Sequence, residues 1–333
     1  MIDSGYTFYT LQSRMLHLLA SIHHRLGEVQ ARHLQHPEPE LERAYRVSAV
    51  QATLALEGTM LGTLPVAELV DRPLHTGGQV SLEVLNTHHA MDLLPELDPF
   101  TAADLRRAHG TLMHGLALDA GHYRTGPMDV VYGEPEPIRV ADAVHLPVQV
   151  DELLYLVEND EMPTLITSCV LHFGLVYLRP FTAGNGRMAR LWQRQVLMRQ
   201  WPVFAFLPVE AFIQRTEPAY YAALAYADRQ GDCGGFIRYM MERIDEALAE
   251  LLATPHPRPA ANDRIAIFLK EQGGKVFRRQ DYMRFFPELS GVSATRDLSQ
   301  AVNEGRLERR GEKRNANYRM SVVPERNGVP QRA

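Results

Sequence analysis

Residues 178–190 read Leu-Arg-Pro-Phe-Thr-Ala-Gly-Asn-Gly-Arg-Met-Ala-Arg, a glycine-rich turn that leads into a helical pattern. The backbone N–H groups of residues 184–187 are expected to converge at the start of that helix, where the helix dipole also favours an anion. Arg187, Arg190 and Arg194 fall within about 60° of one another on the helix. The stretch therefore predicts a phosphate site. The alternative is a simple turn followed by a solvated arginine face.

Helical patterns dominate on both sides of this stretch, because apolar residues recur at spacings of three and four. The predicted helices cover roughly residues 8–32, 40–57, 80–93, 101–117, 147–158, 163–178, 186–200, 217–228 and 234–253. Residues 128–133 differ, since their β-branched and aromatic side chains lie between turn formers and predict a short β hairpin. The predicted fold class is therefore mainly α, a helical bundle with a small β-hairpin flap.

The pattern Pro-Phe-x-x-Gly-Asn-Gly-Arg-x-x-Arg at residues 180–190 resembles the signature of the Fic family, His-x-Phe-x-(Asp/Glu)-Gly-Asn-Gly-Arg-x-x-Arg. The resemblance covers roughly residues 40–250 and implies a Fic-type helical bundle. It also implies an adenylyltransferase that moves AMP from ATP to a Ser, Thr or Tyr hydroxyl of a target protein. The residues that it assigns to the nucleotide phosphates are Gly184, Asn185, Gly186, Arg187 and Arg190.

Two positions depart from that signature. Arg179 stands at the place of the catalytic histidine, and Ala183 stands at the place of the acidic Mg²⁺ ligand. A guanidinium stays protonated in proteins, so Arg179 cannot accept the proton of an attacking hydroxyl. Transfer is therefore expected to be reduced or lost, and Ala183 argues against Mg²⁺ binding. Arg179 either contacts a phosphate or has drifted after catalysis was lost.

A second short motif lies upstream, at residues 53–58. Thr53-x-x-x-Glu57-Gly58 resembles the inhibitory helix of the family, and on a helix Glu57 is predicted to face inward, near an apolar stripe. A carboxylate in that position needs a cationic partner, and the resemblance supplies Arg190. The predicted result is autoinhibition, in which Glu57 forms an ion pair with the guanidinium of Arg190 that would otherwise bind the γ-phosphate. The alternative is that so short a motif has no meaning.

The resemblance also covers a segment between the two motifs. Gly121-x-x-Arg124 and the residues that follow resemble the target-binding flap of the family. The flap residues would be Val130, Val131 and Tyr132.

The last part of the chain is basic, although the net charge of the whole is -5. Residues 261–333 carry 15 Lys and Arg against 9 Asp and Glu.

The alternating prolines of residues 254–262 predict a linker after a first domain of residues 1–253, whose Fic-like core covers about 100–230. Residues 263–320 resemble a winged-helix domain, with Ser293 as the expected N-cap of its DNA-reading helix. Residues 321–333 are predicted to form a flexible tail.

The rest of the composition excludes several classes of protein. The two cysteines are far apart, and the paired histidines have no accompanying carboxylates, so no metal site is predicted. No apolar run is long enough to span a membrane, and the cysteine usage fits the cytoplasm. His172 is a candidate substitute base, but core packing is the favoured interpretation. The candidate partners are a nucleoside triphosphate, a target protein, DNA through residues 263–320 and a second copy of the chain.

Three functions therefore follow from the sequence. The first is an autoinhibited, adenylyltransferase-like protein that binds ATP. The second is a catalytically inactive nucleotide sensor that acts through a DNA-binding winged helix. In the third, the fold serves protein–protein contact alone, and the basic domain is a docking module.

Overall fold

The computed structural model divides the chain into two compact units, Met1–Thr254 and Pro255–Ala333. The residues that the structure describes are 9–35, 37–72, 78–128, 141–255, 261–272, 274–286, 289–311 and 316–321. The predicted flap residues Val130, Val131 and Tyr132 lie outside these ranges. The centre of the predicted linker and almost all of the predicted tail also lie outside them.

The first unit is built from eleven helices in the part of the chain that is described. They are α1 (Ser13–Ala31), α2 (Pro39–Ala55), α3 (Thr63–Asp71), α4 (Gln79–Leu93), α5 (Ala102–Leu112), α6 (Leu146–Asn159), α7 (Thr164–Leu178), α8 (Asn185–Gln200), α9 (Val209–Arg215), α10 (Glu217–Gln230) and α11 (Gly234–Ala253). Short 3₁₀ turns occur at Leu94–Glu96, Ala143–His145 and Pro202–Ala205. The mainly α fold class is confirmed.

Helices α7 and α8 form the centre of this unit. Nearly every residue of α7 is buried, because the helix is apolar all round and is covered by α6, α8 and α11. Helix α8 is buried along most of its length, and its Trp192 donates from the indole nitrogen to the carbonyl of Pro99, 2.9 Å away. The turn between these two helices contains the Gly-Asn-Gly motif, so the candidate site is attached to the rigid core.

The predicted helices differ from the observed ones in two respects. The helix predicted over residues 101–117 ends at Leu112, and the chain then turns through Gly115, whose φ of +70° favours glycine. Helices α3 and α9 were not predicted, because segments of nine and seven residues give little periodicity. No helix within the described ranges has the length and apolar character to cross a membrane.

The second unit has three helices and a small sheet in its described part. The elements are α12 (Ala261–Gln272), β1 (Phe277–Arg278), α13 (Arg279–Phe285), α14 (Gly291–Asn303), β2 (Leu307–Arg310) and β3 (Asn317–Met320). The strands are antiparallel in the order β1-β3-β2. The core of the unit consists of aromatic and aliphatic side chains from all three helices and the sheet, among them Phe268, Phe277, Tyr282, Leu298 and Tyr318.

A buried polar cluster joins the three helices of the second unit. Asp297 of α14 accepts from the Nε of Arg264 at 2.8 Å and from the hydroxyl of Tyr282 at 3.0 Å. The prediction that Ser293 caps α14 is wrong. The N-cap is Ser290, whose hydroxyl accepts from the backbone N–H of Ser293 at 3.1 Å. Both serines precede the apolar pattern, so spacing alone did not separate them.

Candidate functional site

The loop between α7 and α8 is closed by Asn185. Its side-chain oxygen accepts from the N–H of Phe181 at 3.0 Å, and its side-chain nitrogen donates to the carbonyl of Phe181 at 2.7 Å. Gly184, just before α8, has a φ of +75°, and a Cβ there would lie 2.7 Å from the sulfur of Met113. This position therefore requires glycine. The first N–H groups of α8 are left at the mouth of a rigid turn.

His109 supports the loop from beneath. Its ring stacks on Phe181, with centroids 3.6 Å apart and planes 4° from parallel. Nδ1 accepts from the N–H of Gly121 at 2.9 Å, so Nε2 carries the proton and donates to the carbonyl of Ala183 at 3.0 Å. Burial lowers the pKa of His109 to about 4, so the ring is neutral at pH 7. No sequence motif indicates this role, since His109 is one position among many in a predicted helix.

Arg124 holds the end of α7. Its Nε donates to the carbonyl of Arg179 at 2.7 Å, and one Nη donates to the carbonyl of Leu178 at 3.3 Å. Its own N–H donates to the carbonyl of Pro180 at 2.9 Å. The last carbonyls of a helix have no partner within the helix, so this guanidinium caps α7 and fixes the first residues of the motif.

Arg179 occupies a left-handed backbone position at the end of α7. Its φ is 46° and its ψ is 64°, a conformation that few residues other than glycine adopt. The side chain is half-buried and interacts electrostatically with Asp228 of α10. Burial raises the pKa of Asp228, and the positive charge of Arg179 opposes that rise. The position therefore holds a fixed cation and no proton acceptor.

Ala183 leaves the loop without the carboxylate of the family signature. Its carbonyl is used by His109, and its methyl group supplies no metal ligand. Among the described residues, no three His, Cys, Asp or Glu side chains are grouped closely enough to hold a metal ion. The loop therefore does not fit Mg²⁺ binding through this position, and no step proposed below depends on the metal.

Arg190 is buried and contacts the predicted inhibitory motif. Its Nε donates to the hydroxyl of Thr53 at 2.9 Å, and one Nη donates to the backbone carbonyl of Thr53 at 3.1 Å. The same Nη lies 2.7 Å from Oε1 of Glu57. The carboxylate more than offsets the effect of burial, so the pKa of Arg190 lies above its ordinary value. The structure thus brings Thr53, Glu57 and Arg190 together.

Glu57 lies over the first turn of α8. It follows the end of α2, and Gly58, with a φ of +88°, then turns the chain. A Cβ at Gly186 would lie 2.4 Å from Oε1 of Glu57, so the missing side chain makes room for the carboxylate. The helix dipole favours a negative charge at this place. An anion supplied by the chain itself therefore sits at the N-terminus of α8.

Arg187 is the second cation of this turn. The residue is only 8% exposed, yet its Nε and Nη1 have no hydrogen-bond partner among the residues described. Burial lowers the pKa of Arg187, and the charges of Glu57 and Glu83 oppose that shift. A buried guanidinium with two unused donors costs free energy unless an anion fills them. Arg187 is therefore a candidate ligand for an anion at this turn.

Arg194 does not lie with Arg187 and Arg190, so the prediction that the three arginines form one cationic stripe on α8 is wrong. It turns toward α9, where one Nη lies 2.5 Å from Oε2 of Glu210 and also donates to the carbonyl of Leu207 at 3.0 Å. The other Nη donates to the carbonyl of Phe204 at 2.7 Å. Arg194 is therefore a structural residue of the core, and among the described residues of α8 two arginines, Arg187 and Arg190, remain at the candidate anion site.

His172 is a core residue, in agreement with the interpretation favoured from the sequence. Its two ring nitrogens lie 2.7 Å from Oε1 of Gln193 and 2.9 Å from the hydroxyl of Tyr220. Burial lowers its pKa to about 3. It is therefore neutral and enclosed, with both nitrogens engaged.

The fold and the loop together define a domain of the Fic type, and comparisons with known proteins agree. Residues 99–197 match the sequence profile of the Fic/DOC family. A crystal structure of a Fic family protein from Desulfovibrio desulfuricans G20 superposes with a TM-score of 0.71 and 29% identity. That superposition covers 96% of this chain and 99% of the other. The chain therefore contains a Fic/DOC domain.

Relatives with adenylyltransferase names are similar to this chain in sequence. Protein adenylyltransferase fic-1 of Caenorhabditis elegans is 28% identical over 249 residues, which are 69% of this chain and 46% of that protein. Protein adenylyltransferase Fic of Nematostella vectensis is 26% identical over 219 residues, which are 63% of this chain and 49% of that protein. The chain thus spans about half the length of these relatives. The structure of C. elegans Fic-1 (residues 134–508) is similar in fold, with a TM-score of 0.59 and 22% identity.

Proposed function

We propose that this chain is an adenylyltransferase-like Fic protein that binds ATP, is inhibited by Glu57, and transfers AMP slowly or not at all. One observation carries the proposal: a carboxylate of the chain itself is held at the N-terminus of α8, 2.7 Å from Arg190. A site that attracts a carboxylate in this way also suits a phosphate, because both are anions that accept from N–H groups and guanidinium groups.

The phosphates of ATP would use the groups that the loop leaves available. Arg187 has two buried donors without partners among the described residues, and the first N–H groups of α8 have no partner within the helix. Glu57 would compete with the γ-phosphate for Arg190. Binding should therefore be weak while α2 keeps its place and should strengthen when the carboxylate is removed.

The site is poorly suited to the chemical step, because of the residue at position 179. Transfer of AMP needs a group that takes the proton from the attacking hydroxyl, and Arg179 stays protonated at neutral pH. Arg179 would instead contact a phosphate oxygen as a fixed cation. Slow transfer follows from the absence of a base at this position, and it does not require any loss of nucleotide binding.

We expect the Glu57→Gln variant to bind ATP about 10- to 100-fold more tightly than the unaltered chain, because the side chain keeps its size and loses its charge. Isothermal titration calorimetry with ATP measures the effect. Glu96→Gln is the matched control, since Glu96 forms an exposed ion pair with Arg107, away from the loop. Arg187→Ala in the Glu57→Gln background should abolish binding. Equal ATP affinity of the unaltered chain and Glu57→Gln would contradict the proposal.

A second candidate function, a regulator that binds DNA, is favoured by the charges of the second unit. Arg278, Asn317 and Arg310 are cross-strand neighbours on β1, β3 and β2. They lie on the face of the sheet opposite to the buried Phe277 and Tyr318. Arg296 is exposed on α14. In the described part of the chain, no carboxylate lies within ion-pair distance of Arg296 or Arg310. These exposed arginines suit backbone phosphates.

Charge reversal tests this second function. Replacing both Arg296 and Arg310 with glutamate should weaken binding to a fluorescent mixed-sequence DNA duplex at least about tenfold at low salt, and should flatten its salt dependence. Reversing Arg14 and Arg107, which lie in the first unit, is the control with the same change in net charge. If the unaltered chain does not bind the duplex, the second unit is better explained as a protein-docking domain. The predicted target protein, homodimer and cytoplasmic location stay predictions.

A further inference from the structure

The residues that follow Glu57 are tied to a neighbouring helix. The N–H of Thr59 donates to the carbonyl of Leu54 at 3.0 Å, so Thr59 belongs to the turn that ends α2. The hydroxyl of Thr59 donates to Oε2 of Glu83 at 2.7 Å. Glu83 is in the first half of α4. One hydrogen bond therefore connects the end of the inhibitory helix to α4.

Helix α4 is itself held in place. Asn86 donates from its side chain to the carbonyl of His114 at 2.7 Å, which attaches α4 to the turn that follows α5. Leu82 packs close to Gly115 in the same turn. The same turn region contains Met113, which packs against Gly184 of the anion loop. Glu83 is therefore attached to the framework that carries the loop, and the bond from Thr59 anchors α2 to a fixed point.

The charge of Glu83 also reaches the anion site. Its carboxylate is half-buried and has no ion-pair partner within the described residues. Together with Glu57 it acts on Arg187, where the two negative charges partly counter the effect of burial on the pKa of that guanidinium. Glu83 thus adds negative charge in the surroundings of Arg187, whose Nε and Nη1 have no hydrogen-bond partner among the described residues.

We propose that Glu83 is a second inhibitory residue. It positions Glu57, because it holds Thr59 and so keeps the end of α2 over the first turn of α8. It also opposes an incoming polyphosphate, because its half-buried carboxylate is bonded to Thr59, two residues after the Glu57 that lies over the first turn of α8. The inference rests on the proposed function and adds to it a regulatory residue outside both sequence motifs.

Two variants separate the two parts of this role. Glu83→Gln retains an oxygen that accepts from Thr59 and loses the charge, whereas Thr59→Val retains the charge and loses the bond. We expect Glu83→Gln to lower the Kd for ATP about fivefold, with a smaller effect for ADP and none for adenosine. The increase in ATP affinity of Glu83→Gln should be smaller at high salt. We expect Thr59→Val to lower the Kd for ATP about twofold and to speed amide hydrogen exchange at residues 55–62.

Calorimetry with ATP, ADP and adenosine measures these effects, and a thermal melt verifies that each variant is folded. Glu96→Gln again controls for a change in net charge. An effect of Glu83→Gln that is equal for ATP and adenosine would indicate a structural role and overturn the proposed charge effect. Unchanged binding and exchange in Thr59→Val would overturn the positioning role.

The failure of this inference can be distinguished from failure of the proposed function. If Glu57→Gln binds ATP more tightly while Glu83→Gln and Thr59→Val behave like the unaltered chain, the role of Glu83 is overturned and the proposed function stands. If no variant binds ATP, Glu57→Gln included, both are overturned.

Discussion

Replacing Arg179 with histidine in a Glu57→Gly background is expected to raise AMP transfer from ATP by about 10²- to 10⁴-fold over Glu57→Gly alone. An imidazole can accept the proton of an attacking hydroxyl near neutral pH, and a guanidinium cannot. Removing Glu57 frees Arg190 for the phosphates, so the two substitutions act on separate steps. Incorporation of label from α-labelled ATP into the chain itself and into a cell lysate measures transfer.

Arg179→Ala in the same background is the control for loss of the guanidinium alone. It removes the cation and adds no base, so its transfer rate should be no higher than that of Glu57→Gly. Adding Ala183→Glu to the histidine variant supplies the acidic residue of the family signature. This variant tests whether a carboxylate at that position raises the rate further. If the histidine variant binds ATP and labels no more than the alanine variant, the missing base is not what limits transfer.

The second large effect is on stability. Arg194→Met is expected to lower the free energy of unfolding by about 3–5 kcal/mol, because it leaves Glu210 buried without its partner. Both side chains of this pair are almost fully buried, and Arg194 also satisfies two backbone carbonyls. Urea unfolding followed by circular dichroism measures the loss.

Arg215→Met is the matched control, because the Arg215–Glu250 pair is about half exposed. Exposed pairs of this kind contribute about 0–1 kcal/mol. The double variant Arg194→Met with Glu210→Leu should recover much of the loss, since no buried charge remains. A loss in Arg194→Met no larger than that in Arg215→Met would refute the structural role assigned to Arg194.

The local features of the site could be predicted from the sequence, whereas the contacts between distant segments could not. Gly184 and Asn185 could be placed in a turn because their conformational preferences are local. Arg194 was misplaced because a helical wheel gives the direction of a side chain but not its partner. That partner, Glu210, comes from α9, a helix too short to predict.

Roles that depend on tertiary packing left no pattern in the sequence. His109 supports the loop only because α5 packs beside α8, and Glu83 reaches Thr59 only because α4 packs against α2. Neither residue belongs to a motif or a periodic stripe, so spacing could not single it out. Arg190 and Glu57, more than a hundred residues apart, were paired through family resemblance, which carries information about packing that one sequence lacks.

The backbone at Arg179 also bears on how easily the site can be altered. Its left-handed conformation is one that histidine adopts more readily than most side chains, and Arg124 holds the carbonyl of that residue in place. The backbone at this position therefore suits the histidine of the family signature, although arginine occupies it here. Some arginine and histidine codons differ by a single base, so one base change would place an imidazole there without remodelling the fold.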